Sequence, residues 1–497
     1  MNRENLAAFC DNHPIVSLVS VIIICIICSL LSFVGLHADD DVGYVTRANE
    51  IITGDFTIKS MFSPRTAIYL PICALSCLFG GSYFTYYIYN YSLAVILLIF
   101  IYLTAKLLVS RNFGLISVLI AGTSPLFNTC INFICPEIGL TLMTTAAVYF
   151  WLLYDKSLNN RNLFYCGICI SLAHMFKVNA ALIYFPVLLC AILRKRVKFN
   201  LIIMFLPFIC TLLFECSVYY KTTSDPFFRF NSSMFWLDSK KFFEGEGAFS
   251  RLTYEMPSMF LNPLDSKIAE TGLLVLSALI GLIWLKIRNE SSHLWNYWML
   301  TMILFFTYWP ASVYPYAPAL PLYPRYFLII LPPAVILITK GLNLITGKRA
   351  FIVLAFIIFA SNIFFINSLF RQRMLWLQGP QNAFEICQKD SGRAVYSDIR
   401  TNKLFNAMSG FKNRERFNVY KKDSSTAKNS LIVFNFSFMA GHPKEYKEAY
   451  DLYLSGRLEK IYEYVPPLHF SFRRSILEWR IAFDHREDFK TVIFKAK

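Results

Sequence analysis

Eleven stretches of this 497-residue chain are apolar for close to the length that a helix needs to cross a bilayer. A hydrocarbon core about 30 Å thick takes roughly 20 helical residues. Runs near that size fall at 15–36, 84–108, 112–130, 138–154, 163–176, 178–193, 200–220, 269–286, 295–312, 325–340 and 350–370. The first is too long for a signal-peptide core and has no small residue ahead of a cleavage point, so it reads as a retained anchor. Residues 66–80 are apolar but short and contain Pro71. They are expected to form an interfacial or re-entrant segment, because counting them as a span inverts everything after them.

Composition agrees with lipid as the solvent. Hydrophobic residues make up 56% and charged residues 16%, against roughly 45–50% and about 25% in soluble domains. That excludes a disordered chain, a coiled coil and an ordinary cytosolic enzyme. The net charge of +16 invites nucleic acid as a partner, but the charges lie in short clusters between apolar runs and in the last quarter. No nucleic acid is expected. With the N-terminus inside, Lys106, Arg111, Lys156, Arg161, Arg194, Lys195, Arg196, Lys198, Lys286, Arg288, Lys340, Lys348 and Arg349 all fall in inner loops. This is where Lys and Arg accumulate. The outer face then holds 37–65, 131–137, the long loop 221–268, 313–324 and the tail.

The chain divides into a membrane module, 1–370, and a soluble outer tail, 371–497. The tail has 23 Lys+Arg and 14 Asp+Glu, a surplus of 9. Segments 395–398 and 431–436 read as strands, and 399–409 and 443–456 as helices, which together predict a small α/β domain. No glycine loop for a nucleotide and no internal repeat is visible. Twelve of the 13 cysteines lie in or beside apolar runs and read as packing residues. A Cys130–Cys135 disulfide at the outer face is one expectation; ordinary burial of both is the other.

The segment with the most chemistry is HADDDVGYVTRANEIITGDF, residues 37–56. Asp39, Asp40 and Asp41 stand side by side where the first helix leaves the bilayer. Their repulsion should raise at least one pKa unless a cation sits among them. Either they mark a solvated helix end or they are held over the membrane for use. An amphipathic helix follows, with Val42, Val45, Ile51 and Ile52 as its apolar positions, suited to lying on the membrane surface.

This stretch resembles the first outer loop of the polyprenyl-phosphate-sugar-dependent glycosyltransferases of the GT-C fold, among them protein O-mannosyltransferases and bacterial lipid A aminoarabinose transferases. Their pattern is Asp-Glu, a Tyr three positions on, then an amphipathic helix closing in Gly-Asp-aromatic. Asp40, Asp41 and Tyr44 match the opening, and Gly54, Asp55 and Phe56 the close. The likeness continues through SPRTAIYLP (63–71), LFGG (78–81), SPLF (124–127), CPE (135–137), FKVNAALIYFP (176–186) and PRYFLIILPP (324–333). The fold it implies is a multi-span α-helical membrane protein of about 11 transmembrane helices with a small C-terminal α/β domain.

The resemblance implies a polyprenyl-phosphate-linked sugar as donor, a hydroxyl on a lipid, glycan or protein as acceptor, and an active site on the periplasmic side of the inner membrane. An acceptor hydroxyl needs a carboxylate to take its proton, which falls to Asp40, with Asp41 and Glu137 as accompanying acids. The leaving phosphate needs cations, and Arg65, Lys177 and Arg325 are the outer-side candidates. Tyr44 and His37 complete the set. A divalent cation (Mg, Mn or Zn) at Asp41 is left open, and no nucleotide is expected. The family often has Lys or His before the proline of the second motif. Here Ser63 precedes Pro64, so a phosphate contact there has to come from Arg65.

Blander readings stand beside these. Lys177 snorkels to the interface, Glu137 favours a helix N-terminus, Arg325 anchors the interface, and Trp and Tyr at 295–298 and 308–316 form an aromatic belt. The alternative from another class is a transporter or lipid flippase with a Lys177/Glu137 charge relay inside the membrane.

Overall fold

A computed structural model of the chain describes residues 13–37, 39–58, 62–194, 199–237, 278–283, 285–286, 293–308, 310–313, 316–318, 324–345, 348–390, 392–412, 414–420, 430–436, 458–465 and 490–496. The expected helix at 443–456 and most of the run at 269–286 lie outside them.

Among the described residues, the part ahead of the tail is mostly helical. In chain order come α1 (Pro14–Leu30), α2 (Asp40–Thr53), α3 (Thr66–Phe79), α4 (Tyr83–Leu108), α5 (Arg111–Thr123), α6 (Pro125–Ile131), α7 (Pro136–Ser157) and α8 (Asn160–Phe176). After a 3-10 turn at Val178–Ile183 follow α9 (Tyr184–Leu193), α10 (Ile202–Thr223), α11 (Phe228–Leu237), α12 (His293–Tyr308), α13 (Leu331–Ile345) and α14 (Lys348–Lys389). Local chemistry sets many of the starts. Proline opens α1, α6 and α7, where its missing N–H costs nothing. Ser82 and Thr85 form a reciprocal capping box on α4.

Among the described residues, three helical segments are long and apolar enough to cross a membrane: Tyr83–Leu108, Pro136–Ser157 and Phe199–Thr223. The pair α5/α6, bent by 64°, makes a fourth if it is one span. That is fewer than the eleven apolar runs: backbone breaks shorten some of the others, and most of 269–286 lies outside the described residues. Ser124 adopts an extended conformation between α5 and α6, and Lys177 does the same after α8. Helix α3, with Pro71 inside it, has 14 residues. At 1.5 Å per residue it rises only about 21 Å, in keeping with a segment that does not span.

Helix α7 is the central post, with 78% of its apolar window buried. Gly139 on it meets the Phe176 ring so closely that an added Cβ would lie 2.1 Å from a ring carbon. Helix α10 is peripheral, only 11% buried, and shows Ile202, Leu206, Ile209, Leu213 and Phe214 to the outside. In water that face would be costly; in lipid it is at home. The protein is an integral membrane protein.

The two ends of the bundle differ. At one end Lys156 donates to the Leu107 carbonyl at 2.8 Å, Asn200 to Asn160 Oδ1 at 2.7 Å, and Arg194 pairs with Asp155. These belong to the basic loops expected inside. The acidic segment and the tail gather at the other end.

A short hairpin, β1 (Pro310–Val313) with β2 (Tyr316–Pro318), follows α12. The tail carries a five-stranded mixed sheet of order β4-β3-β5-β7-β6. Its strands are β3 (Val395–Ser397), β4 (Phe417–Val419), β5 (Leu431–Asn435), β6 (Leu458–Tyr464) and β7 (Thr491–Ala496), with helix α15 (Ile399–Met408) between β3 and β4. β3, β5 and α15 stand where the sequence reading put them. β5 is buried along its whole length, as a central strand covered on both faces must be. Asp398 caps α15 by accepting from the N–H groups of Arg400 and Thr401. Helix α14 runs unbroken across 370–371, so the membrane module and the tail share one 42-residue element.

Candidate active site

Helix α2 carries the acids. Asp40 and Asp41 occupy its first turn, where the helix dipole favours negative charge, and Gly54 closes it at φ 78°, a left-handed conformation suited to glycine. Its buried face is Val42, Tyr44, Val45 and Ala48, while Ile52, expected among the apolar positions, is exposed. The reason is tertiary: α2 packs on α3 and α15, and the packing takes Tyr44 into the core.

The three aspartates part company. Asp41 is fully buried. Its Oδ1 accepts from the N–H groups of Asp39 (3.1 Å) and Val42 (2.8 Å), and its Oδ2 from the N–H of His37. It therefore holds the turn between α1 and α2. Asp40 turns the other way: its Oδ2 meets Arg325 Nη2 at 2.8 Å. Among the described residues, Asp40 Oδ1 carries no hydrogen bond. Asp39 is exposed, yet the surrounding protein and the charge on Asp40 raise its pKa, with Arg325 and Arg400 opposing. The repulsion read from the sequence thus appears at Asp39.

Three cations converge on the same end. Arg325, in the 3-10 turn Pro324–Ile330, lies over the Phe133 ring at 5.0 Å. It interacts electrostatically with both Asp40 and Glu137. Lys177 pairs with Glu137 Oε1 at 3.0 Å, with the two side chains 11% and 2% exposed. The Lys177 Nζ also sits 3.8 Å above the centre of the Tyr326 ring. Arg65, just ahead of α3, donates to the Tyr44 hydroxyl. Burial pushes the Tyr44 phenol far above its ordinary pKa, so it stays a neutral acceptor. Asp40, Glu137, Arg65, Lys177, Arg325 and Tyr44 therefore form one cluster. His37 is beside it, with Nδ1 3.4 Å from Asp41 Oδ2 and its ring edge-on to Phe133.

Among the described residues, no three His, Cys, Asp or Glu side chains gather as a metal-binding group. Both oxygens of Asp41 accept backbone N–H bonds. The expected Cys130–Cys135 disulfide is not formed: both thiols are free and buried. Cys135 points its Sγ at the Cys130 carbonyl, 3.8 Å away, and Cys130 its own at the Arg325 carbonyl, 3.9 Å away.

One charged group here was missed from sequence. Arg229, on α11 in the long outer loop 221–268, is buried against Glu215 and His174. A signal existed: Glu215 is an acid within the apolar run LLFECSV, where an ionisable side chain is expensive and wants a partner.

Residues 67–220 match the family model of dolichyl-phosphate-mannose-protein mannosyltransferase. No curated protein matches. Among solved structures, the chain is similar to ArnT from Cupriavidus metallidurans in its apo state, at 12% identity and a TM-score of 0.56, covering 96% of this chain and 97% of that one. The same figures hold for ArnT bound to undecaprenyl phosphate. The Archaeoglobus fulgidus oligosaccharyltransferase in complex with Zn and sulfate is similar at 13% identity and a TM-score of 0.53, covering 86% and 69%. The chain has the fold of the GT-C glycosyltransferases and, over residues 67–220, matches the dolichyl-phosphate-mannose-protein mannosyltransferase family.

Proposed function

We propose that the protein transfers a sugar from a polyprenyl-phosphate donor to a hydroxyl on a lipid, glycan or protein at the periplasmic face of the inner membrane. The observation that carries this reading is the pairing of Asp40 with Arg325 beside the Glu137–Lys177 pair. That pairing supports reading Asp40 as a proton acceptor beside cations able to bind phosphate. Undecaprenyl phosphate, bound by the similar ArnT, is the kind of lipid carrier such a cluster would hold.

Asp40 Oδ1 accepts the proton of the acceptor hydroxyl as its oxygen attacks the anomeric carbon. The bond from that carbon to the phosphate oxygen breaks, and the lipid phosphate leaves with the electron pair. Arg65, Lys177 and Arg325 stabilise the negative charge that develops there. As the phosphate draws the Arg325 guanidinium, the carboxylate of Asp40 is released toward the acceptor. One displacement inverts the anomeric centre, and a covalent glycosyl-enzyme would need a second free carboxylate, whereas Glu137 is held by Lys177. The charge relay of a transporter is less well supported. Glu137 sits in the first turn of α7 and Lys177 just past the end of α8, and transporter sites lie near mid-bilayer.

Purified protein supplied with polyprenyl-phosphate sugars, together with mass spectrometry of envelope glycolipids and glycoproteins from cells with and without the gene product, identifies sugar and acceptor. Asp40→Asn should abolish transfer in a folded protein; near-normal turnover removes Asp40 as the base. Single cysteines at positions 40 and 400 should label from outside and one at 196 from inside. Labelling of 40 and 196 from one side overturns the sidedness.

A further inference from the structure

A buried guanidinium that takes no part in the transfer joins the two segments that present phosphate-binding cations. Arg229 is 3% exposed. Its Nη1 donates to Glu215 Oε1 at 2.5 Å and to the Pro64 carbonyl at 3.0 Å, and its Nη2 donates to the His174 carbonyl. Glu215 Oε2 lies 3.1 Å from His174 Nε2, and Tyr219 interacts electrostatically with the guanidinium. Pro64 directly precedes Arg65. His174 is in the last turn of α8, where the Lys177 N–H bonds the Ala173 carbonyl at 3.1 Å.

We propose that Arg229 is a positioning residue that fixes the spacing between Arg65 and Lys177, and so the site for the donor's lipid phosphate. This rests on the reading that those two cations hold the phosphate. The physical case is that a planar guanidinium offers several donors in fixed directions, whereas an ammonium is a single flexible point charge. Arg229 reaches two backbone carbonyls and a carboxylate together, and Glu215 balances its charge inside the protein. Two cations set at a fixed spacing bind a phosphate without first losing conformational freedom.

The test uses the full-length protein in nanodiscs, with undecaprenyl phosphate as the binding probe and steady-state kinetics as the second readout. Arg229→Lys keeps the charge and loses the fork; Glu215→Gln keeps the shape and loses the balancing charge. Both should weaken undecaprenyl phosphate binding and raise the donor KM about tenfold, equivalent to roughly 1.4 kcal/mol. The acceptor KM should stay as in the parent, with Arg229→Lys the milder of Arg229→Lys and Arg229→Met. Normal probe binding by both variants overturns the proposal, as does a uniform fall of all parameters or the failure of both to fold. Arg65→Gln separates the levels. If it too binds the probe normally, the reading beneath fails and takes the proposal with it. If it loses binding while Arg229→Lys does not, the clamp alone fails.

Discussion

Lys177 Nζ lies 3.0 Å from Glu137 Oε1 and 3.8 Å above the centre of the Tyr326 ring. A nearly dry ammonium is thus held by a carboxylate on one side and an aromatic face on the other. Removing one member of such a pair strands its partner's charge, at a cost of about 3–5 kcal/mol. Glu137→Gln and Lys177→Met should each lower the thermal midpoint in detergent markedly. The double variant should lose less than the two losses added together. Strict additivity would show that the two groups are not coupled.

Tyr44 gives a second prediction. It is fully buried, its hydroxyl takes the Arg65 hydrogen bond, and Phe62 packs edge-on to it at 5.1 Å. Tyr44→Phe preserves that packing and deletes only the acceptor. The expected stability loss is about 1–3 kcal/mol, the cost of an unsatisfied buried donor. Because Arg65 then loses its anchor, the donor KM should rise more than kcat falls. An unchanged donor KM would separate Tyr44 from donor binding.

Asp39 supplies a pH dependence. Its pKa is raised in the folded protein, by limited hydration first and by Asp40 second. A carboxylate with a raised folded pKa keeps its proton longer in the folded state than in the unfolded one. Stability therefore falls as pH climbs through the unfolded and then the folded pKa, and the cost is fully present above both. Asp39→Asn should be the more stable form at neutral pH, and the advantage should vanish below the ordinary carboxylate range. The side chain is exposed, so the gain should stay below about 1 kcal/mol. Thermal midpoints at several pH values measure it; an advantage that grows toward acid would reverse the assignment.

What could be read ahead of the structure followed from local periodicity and from burial cost. The start of α7 at Pro136, the α2 helix and the strands at 395–397 and 431–435 were all legible because turn chemistry and hydrophobic period act over a few residues. Lys177 and Arg325 were legible as outer-side cations suited to a leaving phosphate. Partnership itself was not legible. Arg325 finds Asp40 across 285 residues of chain, and nothing local in either segment encodes that pairing. For the same reason nothing local shows that the fold buries Asp41 in backbone hydrogen bonds, pairs Asp40 and leaves Asp39 in the open. Arg229 was missed because its partners Pro64, His174 and Glu215 come from three separate segments.

The contact between the membrane module and the tail gives the last prediction. Gly81, in the turn between α3 and α4, meets Gly410 after α15: a Cβ added to Gly410 would lie 2.4 Å from the Gly81 carbonyl oxygen. Gly410 also has φ 62°, where a side chain costs about 1–2 kcal/mol. Nearby, the Tyr86 hydroxyl donates to the Ala407 carbonyl at 3.4 Å and Gln381 Nε2 to the Val34 carbonyl at 2.5 Å. Alanine at 410 therefore meets both strain and a backbone clash that no side-chain rotation relieves, so the tail has to lift from the turn. Helix α15 packs on α2, which carries Asp40, and lifting it loosens the acids as well. Gly410→Ala should speed proteolysis within 390–420 in the native protein and lower kcat. Gly392→Ala is the control, since nothing lies within 4 Å of a Cβ there. If Gly410→Ala digests and turns over like Gly392→Ala, the tail does not brace the acidic helix through this contact.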